Sequence, residues 1–114
     1  MAYGTRTGFE PLRTIAFGSI TASYTAIGTS TTGHVRMMTM INSTDSDMLI
    51  SLDGVTDHIR LYTGSFQLFD FTTNKVQDDG FFVPTGTIFY VKYVSAPSKG
   101  NVWIEVIRAT AGGV

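Results

Sequence analysis

Four aspartates, Asp45, Asp47, Asp53 and Asp57, fall close together and are followed at once by His58, with Ser51 between them. Side chains of these types could bind a cation or run a hydrolysis. Asp45-x-Asp47 matches the start of a calcium loop, but the remaining ligand spacing is missing, including the Glu at the twelfth position. Asp57-His58 beside Ser51 is the nearest approach to a hydrolytic triad. The serine lacks a Gly-x-Ser-x-Gly elbow, and no oxyanion loop accompanies it. Asp is also the residue that turns favour, because its carboxylate bonds its own backbone. The cluster therefore reads as turn chemistry, and neither a catalytic residue, a metal nor a cofactor is expected.

Other candidates are thinner. His34 and His58 are the two histidines, and neither has a second ligand at a recognisable spacing. The glycine-containing stretches Gly28–Gly33 and Gly112-Gly113 do not precede a helix and carry no Lys, which argues against a phosphate cradle. Tyr62, Phe66, Phe69, Phe71, Phe89, Tyr90, Tyr93 and Trp103 could stack on sugars or bases. Aromatic residues on strands more often form core and cross-strand pairs.

The elements that would carry these residues are strands. Met48–Leu52 alternates and is followed by Asp53-Gly54, the strongest short signal for a two-residue hairpin turn. His58–Tyr62 and Phe66–Phe71 follow, separated by Thr63-Gly64, and the three together are expected to form a meander. Ile20, Ala22, Tyr24 and Ala26 alternate with Thr21, Ser23 and Thr25, a period of two. Val35 to Ile41 is apolar on both faces and reads as a central strand. Asp78-Asp79-Gly80 is a turn before Phe81–Val83. Thr87–Val94 and Asn101–Arg108 are the most β-prone runs, joined by an expected hairpin loop over Ser95–Gly100. No capped helical stripe is present.

Met1–Pro11 has Gly4, Gly8 and Pro11 and no period, so residues 1–11 read as an extended arm and residues 12–114 as the folded domain. The expectation is an all-β chain: a single antiparallel β-sandwich, jelly-roll-like or immunoglobulin-like, with an N-terminal arm. At 114 residues there is room for one core.

Charged residues make up 15% of the chain, and Ser, Thr and Gly take their place. Such a surface suits contact with other protein. Net charge is −1 and the eight basic residues are scattered singly, so nucleic acid is not an expected partner. The uncharged run Thr14–Gly33 holds too many hydroxyls for a membrane helix. There is no cysteine, which removes disulfides and thiol chemistry.

A series of segments carries a resemblance: Ser23–Thr29 (SYTAIGT), Met40–Asp45 (MINSTD), Ile50–His58 (ISLDGVTDH), Phe69–Lys75 (FDFTTNK) and Gly86–Lys92 (GTIFYVK). In that order they resemble the small β-sandwich virion proteins of tailed bacteriophages, over roughly Ser23 to Arg108. The resemblance implies a non-enzymatic structural protein of the virion, assembled in the host cytoplasm, with no catalytic residues to transfer. It implies a homo-oligomer that binds the major capsid protein as decoration or cement. A head–tail connector or tail-associated position is the alternative, and a host-glycan-binding module a more distant one. Tyr3, Arg6, Phe9 and Arg13, anchors on and beside the arm, are the expected assembly contacts.

Overall fold

In the computed structural model, residues 6–71 and 83–110 are described, with side chains over 8–71 and 83–108. The strands are β1 (Arg6–Phe9), β2 (Arg13–Ala16), β3 (Thr25–Ile27), β4 (His34–Asn42), β5 (Met48–Ser51), β6 (Ile59–Leu61), β7 (Phe66–Asp70), β8 (Phe89–Tyr93) and β9 (Asn101–Thr110). One antiparallel sheet runs β2-β9-β4-β7, with β1 also on β9; the other runs β3-β8-β5-β6. The fold is all-β and the two sheets make a sandwich. Strands β2 to β9 in this order have the connectivity of a jelly roll, which decides between the two expected sandwich types.

Every connection from β2 to β9 crosses between the sheets except β5–β6. That overturns two expectations. β7 does not pair with β6 in a meander but lies on β4, from Met37↔Asp70 to Ile41↔Phe66. Ser95–Gly100 is no hairpin loop, because β8 and β9 sit in different sheets. Gly100 fixes this crossover: its φ is +93°, and a Cβ there would lie 2.1 Å from the carbonyl oxygen of Ser43. The β5–β6 hairpin is real, but residues 52–58 form its loop instead of a two-residue Asp53-Gly54 turn. Gly54 does have positive φ, +80°.

The core lies between the sheets and contains Ile27, Val35, Met38, Met40, Met48, Ile50, Leu61, Phe89, Val91, Val102, Ile104 and Val106. Two bulges set what faces it. At Arg36 the register of β4 shifts against β9, so Val35 and Met38 point inward while Met37, Thr39 and Ile41 point out. On the first edge, Phe9 pairs with Ile107 and Arg13 with Ile104, leaving Glu10, Pro11 and Leu12 opposite Glu105 and Val106. Arg6–Phe9, expected as part of an arm, is thus an edge strand continuous with β2. The expected period-two strand over 20–26 also gives way: Phe17–Ser19 is a 3-10 turn, β3 begins only at Thr25, and Ala26 faces solvent while Ile27 is buried. The turn expected at Asp78–Gly80 and residues 81–82 lie outside the described residues; Val83 bridges Val35.

Candidate functional site: an apolar outer sheet face

The outward side of the first sheet is built from three cross-strand rows. Phe66, Ile41, Trp103 and Thr14 form one; Leu68, Thr39 and Glu105 form the next; Asp70, Met37, Ile107 and Phe9 form the third. Leu12 joins the middle row from the bulge. Phe9 is 79% exposed, Phe66 67%, Leu68 55% and Leu12 52%, although each neighbours further apolar side chains. Phe9, Leu12, Met37, Leu68, Glu105 and Ile107 surround a groove of about 330 Å³. Glu105 is the single exposed charge near its middle, and among the described residues it has no ion-pair partner.

A buried ion pair holds the end of this face in place. Arg13 Nη2 donates to Glu10 Oε1 at 2.6 Å, and both side chains are almost fully buried. Arg13 also donates to the carbonyls of Thr29 and Ser30, and its guanidinium stands over the Phe89 ring at 5.7 Å. Glu10 Oε2 accepts from the Thr32 N–H and hydroxyl. Burial pushes the Glu10 carboxyl up, but the hydrogen bonds from Arg13 and Thr32 outweigh it and hold the group below its ordinary range. With this pair tied to the 29–32 loop, Phe9 before Glu10 and Leu12 before Arg13 turn outward.

The outer side of the second sheet is different. Lys92 Nζ lies 3.3 Å from Asp57 Oδ1 and 4.7 Å from the centre of the Tyr24 ring, and Tyr24 donates its hydroxyl to the same Asp57 oxygen at 2.5 Å. Burial and then the Asp57 bond push the Tyr24 hydroxyl well above its ordinary value. Arg60 pairs with Asp47 at 2.8 Å. Charges here are answered by charges.

Of the four aspartates that opened the sequence reading, Asp53 closes its own turn, while Asp45, Asp47 and Asp57 tie segments distant in sequence. Asp53 Oδ1 accepts from the N–H groups of Thr56 and Val55 and the Ser51 hydroxyl, which hold its carboxyl far below the usual range. Asp45 accepts from the Ser98 N–H and hydroxyl, and Asp47 from the Thr63 N–H. Ser51 is buried with its hydroxyl on Asp53, while His58 Nδ1 accepts the Leu52 N–H at 3.1 Å. Ser51, Asp57 and His58 do not form a relay. Among the described residues no group of three or more His, Asp or Glu side chains is placed to hold a metal ion.

Of the four expected contacts, Phe9 lies on the apolar face. Arg13 does not; it is buried and its charge is spent on Glu10. The Arg6 backbone pairs with Thr110, its side chain lies outside those described, and Tyr3 lies outside the described residues. Leu12, Phe66, Leu68 and Ile107 lie on the face without being expected contacts. For Phe66 and Leu68 the sequence carries a signal, FQLFDF, a strand apolar on both faces, which needs cover on both.

No family model matches this chain, and no curated protein and no solved structure matches it either.

Proposed function

We propose that this chain is a non-enzymatic structural protein of a tailed-phage particle, which binds the capsid lattice as a decoration or cement protein. The observation that carries the reading is the outer face of the first sheet. Four strands about 4.8 Å apart and three rows about 6.8 Å apart give a footprint of roughly 400 Å². A largely apolar face of that size matches the largest patch of a typical monomer, which is often functional, and a protein contact is the use we assign to it. Jelly rolls recur in viral capsid domains, which fits the resemblance of the segments from Ser23 to Lys92. The lone Glu105 asks for a Lys or Arg on the partner, since an unpaired carboxylate buried in an apolar contact is costly. A glycan site would need polar groups converging on an aromatic ring, and the polar residues of this face, Thr14, Thr39, Asp70 and Glu105, are spread over its three rows.

The test is sedimentation of complete particles from cells making the whole virion, followed by quantitative mass spectrometry. The chain is expected with the particles at lattice-wide copy number, and the Leu12→Ser/Leu68→Ser double variant is expected in the soluble fraction. A copy number matching one ring at a vertex would support the connector reading instead. Absence of the wild-type chain from particles would remove the proposal.

A further inference from the structure

β7 is the outer strand of its sheet, and its hydrogen-bonding parity decides which of its backbone groups are free. Asn42 N–H donates to the Ser65 carbonyl and Phe71 N–H to the Arg36 carbonyl. With the register Ile41↔Phe66 to Met37↔Asp70, Gln67 and Phe69 also turn their N–H and C=O toward β4. Phe66 and Leu68 therefore turn theirs away from the sheet. Among the described residues nothing pairs with those groups.

Two other edges of the sandwich carry blocking devices. On β6, Gln67 Nε2 donates to the outward Arg60 carbonyl, with the charged Arg60 side chain alongside. The edge of the first sheet opposite β7 is broken by its bulge and Pro11. Phe66-Gln67-Leu68 has no proline, bulge or positive charge, which are the features that keep an edge strand from pairing with another chain.

We infer that two copies of this chain pair β7 to β7, antiparallel, about a two-fold axis at Gln67. Phe66 of each copy then faces Leu68 of the other, in hydrogen-bonded pairs that use the two outward N–H and the two outward C=O groups of both strands. Strand pairing of this sense is its own mirror under a two-fold, so a single surface suffices. An axis through Leu68 would set each Phe66 ring beside a carboxylate, that of Asp70, and an axis through Phe66 would set each Leu68 against Gly64. The Gln67 axis covers both apolar side chains of each strand. On the assembly reading, pairing at β7 would also join two faces of roughly 400 Å² into one sheet surface of roughly 800 Å², about what each side of a standard interface contributes. The purpose of the pairing rests on the assembly reading above; its geometry does not.

The chain has no cysteine, so single introduced cysteines report the axis cleanly. In the pairing inferred, the two Gln67 residues form a non-hydrogen-bonded pair with Cα atoms about 4.5 Å apart, within disulfide range. The two Leu68 residues are diagonal neighbours at about 7–8 Å, beyond it. Gln67→Cys is expected to cross-link to a dimer under mild oxidation, and Leu68→Cys is not. Wild-type protein is expected at twice 12.4 kDa by light scattering. Leu68→Pro removes an outward N–H while sparing the bonds to β4, so it is expected to be monomeric with an unchanged β circular-dichroism spectrum. A monomeric or trimeric wild type, preferential cross-linking at Leu68→Cys, or a folded Leu68→Pro dimer would each overturn the inference. The particle assay is separate: a β7 dimer that never joins particles leaves this pairing standing and removes the lattice reading, and a monomer that joins them does the reverse.

Discussion

The two outer faces of this sandwich are built on the same backbone plan and differ in how they treat charge. On the second sheet Lys92, Asp57 and Tyr24 satisfy one another, and Arg60 closes on Asp47. That face is finished when the chain folds. On the first sheet Phe9, Leu12, Phe66 and Leu68 stand in water around one unanswered carboxylate. The contrast separates a surface whose charges are satisfied within the chain from the one on which the proposed contact rests. A strand apolar on both sides links the core to that second surface.

The largest test of that contrast is the buried pair that shapes the first face. Glu10→Ala should cost about 3–5 kcal/mol, because it leaves the Arg13 charge buried and unpaired. Chemical denaturation measures this. The pH dependence has a definite sign: the Glu10 carboxyl is depressed on folding, so its contribution is full above its ordinary value of 4.5 and is lost as pH falls through the lower folded value. Glu10→Gln should flatten that acid limb of the stability curve; an unchanged limb would assign acid sensitivity to other carboxylates.

Next in size is the contact itself. Leu12→Ser with Leu68→Ser should weaken particle binding by about 2–3 kcal/mol, since each half-exposed leucine has about 1–1.5 kcal/mol left to gain by burial. Folding stability should move by less than about 1 kcal/mol, as for most exposed positions. Loss of the fold in that variant would mean that the face is part of the core.

On the second sheet, Gly54→Val should cost about 1–3 kcal/mol. Its φ is +80°, and a Cβ would come within 3.3 Å of the Tyr90 ring. Particle binding by the surviving folded fraction should be unchanged. The smallest effect belongs to Lys92→Ala, at about 0–1 kcal/mol of stability and none on binding, as befits a surface ion pair. A binding defect in Lys92→Ala would break the comparison, because both faces would then be in use.

The strands are legible where the local signal is strong: alternation in β5, a run apolar on both faces in β4, and β-branched and aromatic residues in β8 and β9. What could not be read was phase and partner. A single extra residue at Arg36 exchanges the inner and outer sides of β4, and nothing in VRMM marks the bulge. The Asp53-Gly54 signal did report a positive φ at Gly54. It failed as a two-residue turn because Ser51, Val55 and Thr56 hydrogen-bond Asp53 into a wider loop. Sheet membership depends on contacts far apart in sequence, so β7 on β4 and β9 against β1 were out of reach. Arg13 misled for the same reason: an arginine beside an exposed aromatic looks like surface until Glu10 and the 29–32 loop close over it.

The split first strand has a mechanical consequence. Arg6 lies opposite Thr110, so the outermost described residues sit side by side at one end of the sheet. A pull that separates them loads the β1–β9 hydrogen bonds one at a time, in the peeling direction, instead of all together in shear. Rupture should start at a low force and run four residue pairs inward, from Arg6↔Thr110 to Phe9↔Ile107. There it meets the Glu10–Arg13 pair, tied to a loop of the body of the domain. The bulge acts as a ratchet stop, with a compliant tether outside it and a stiff body behind.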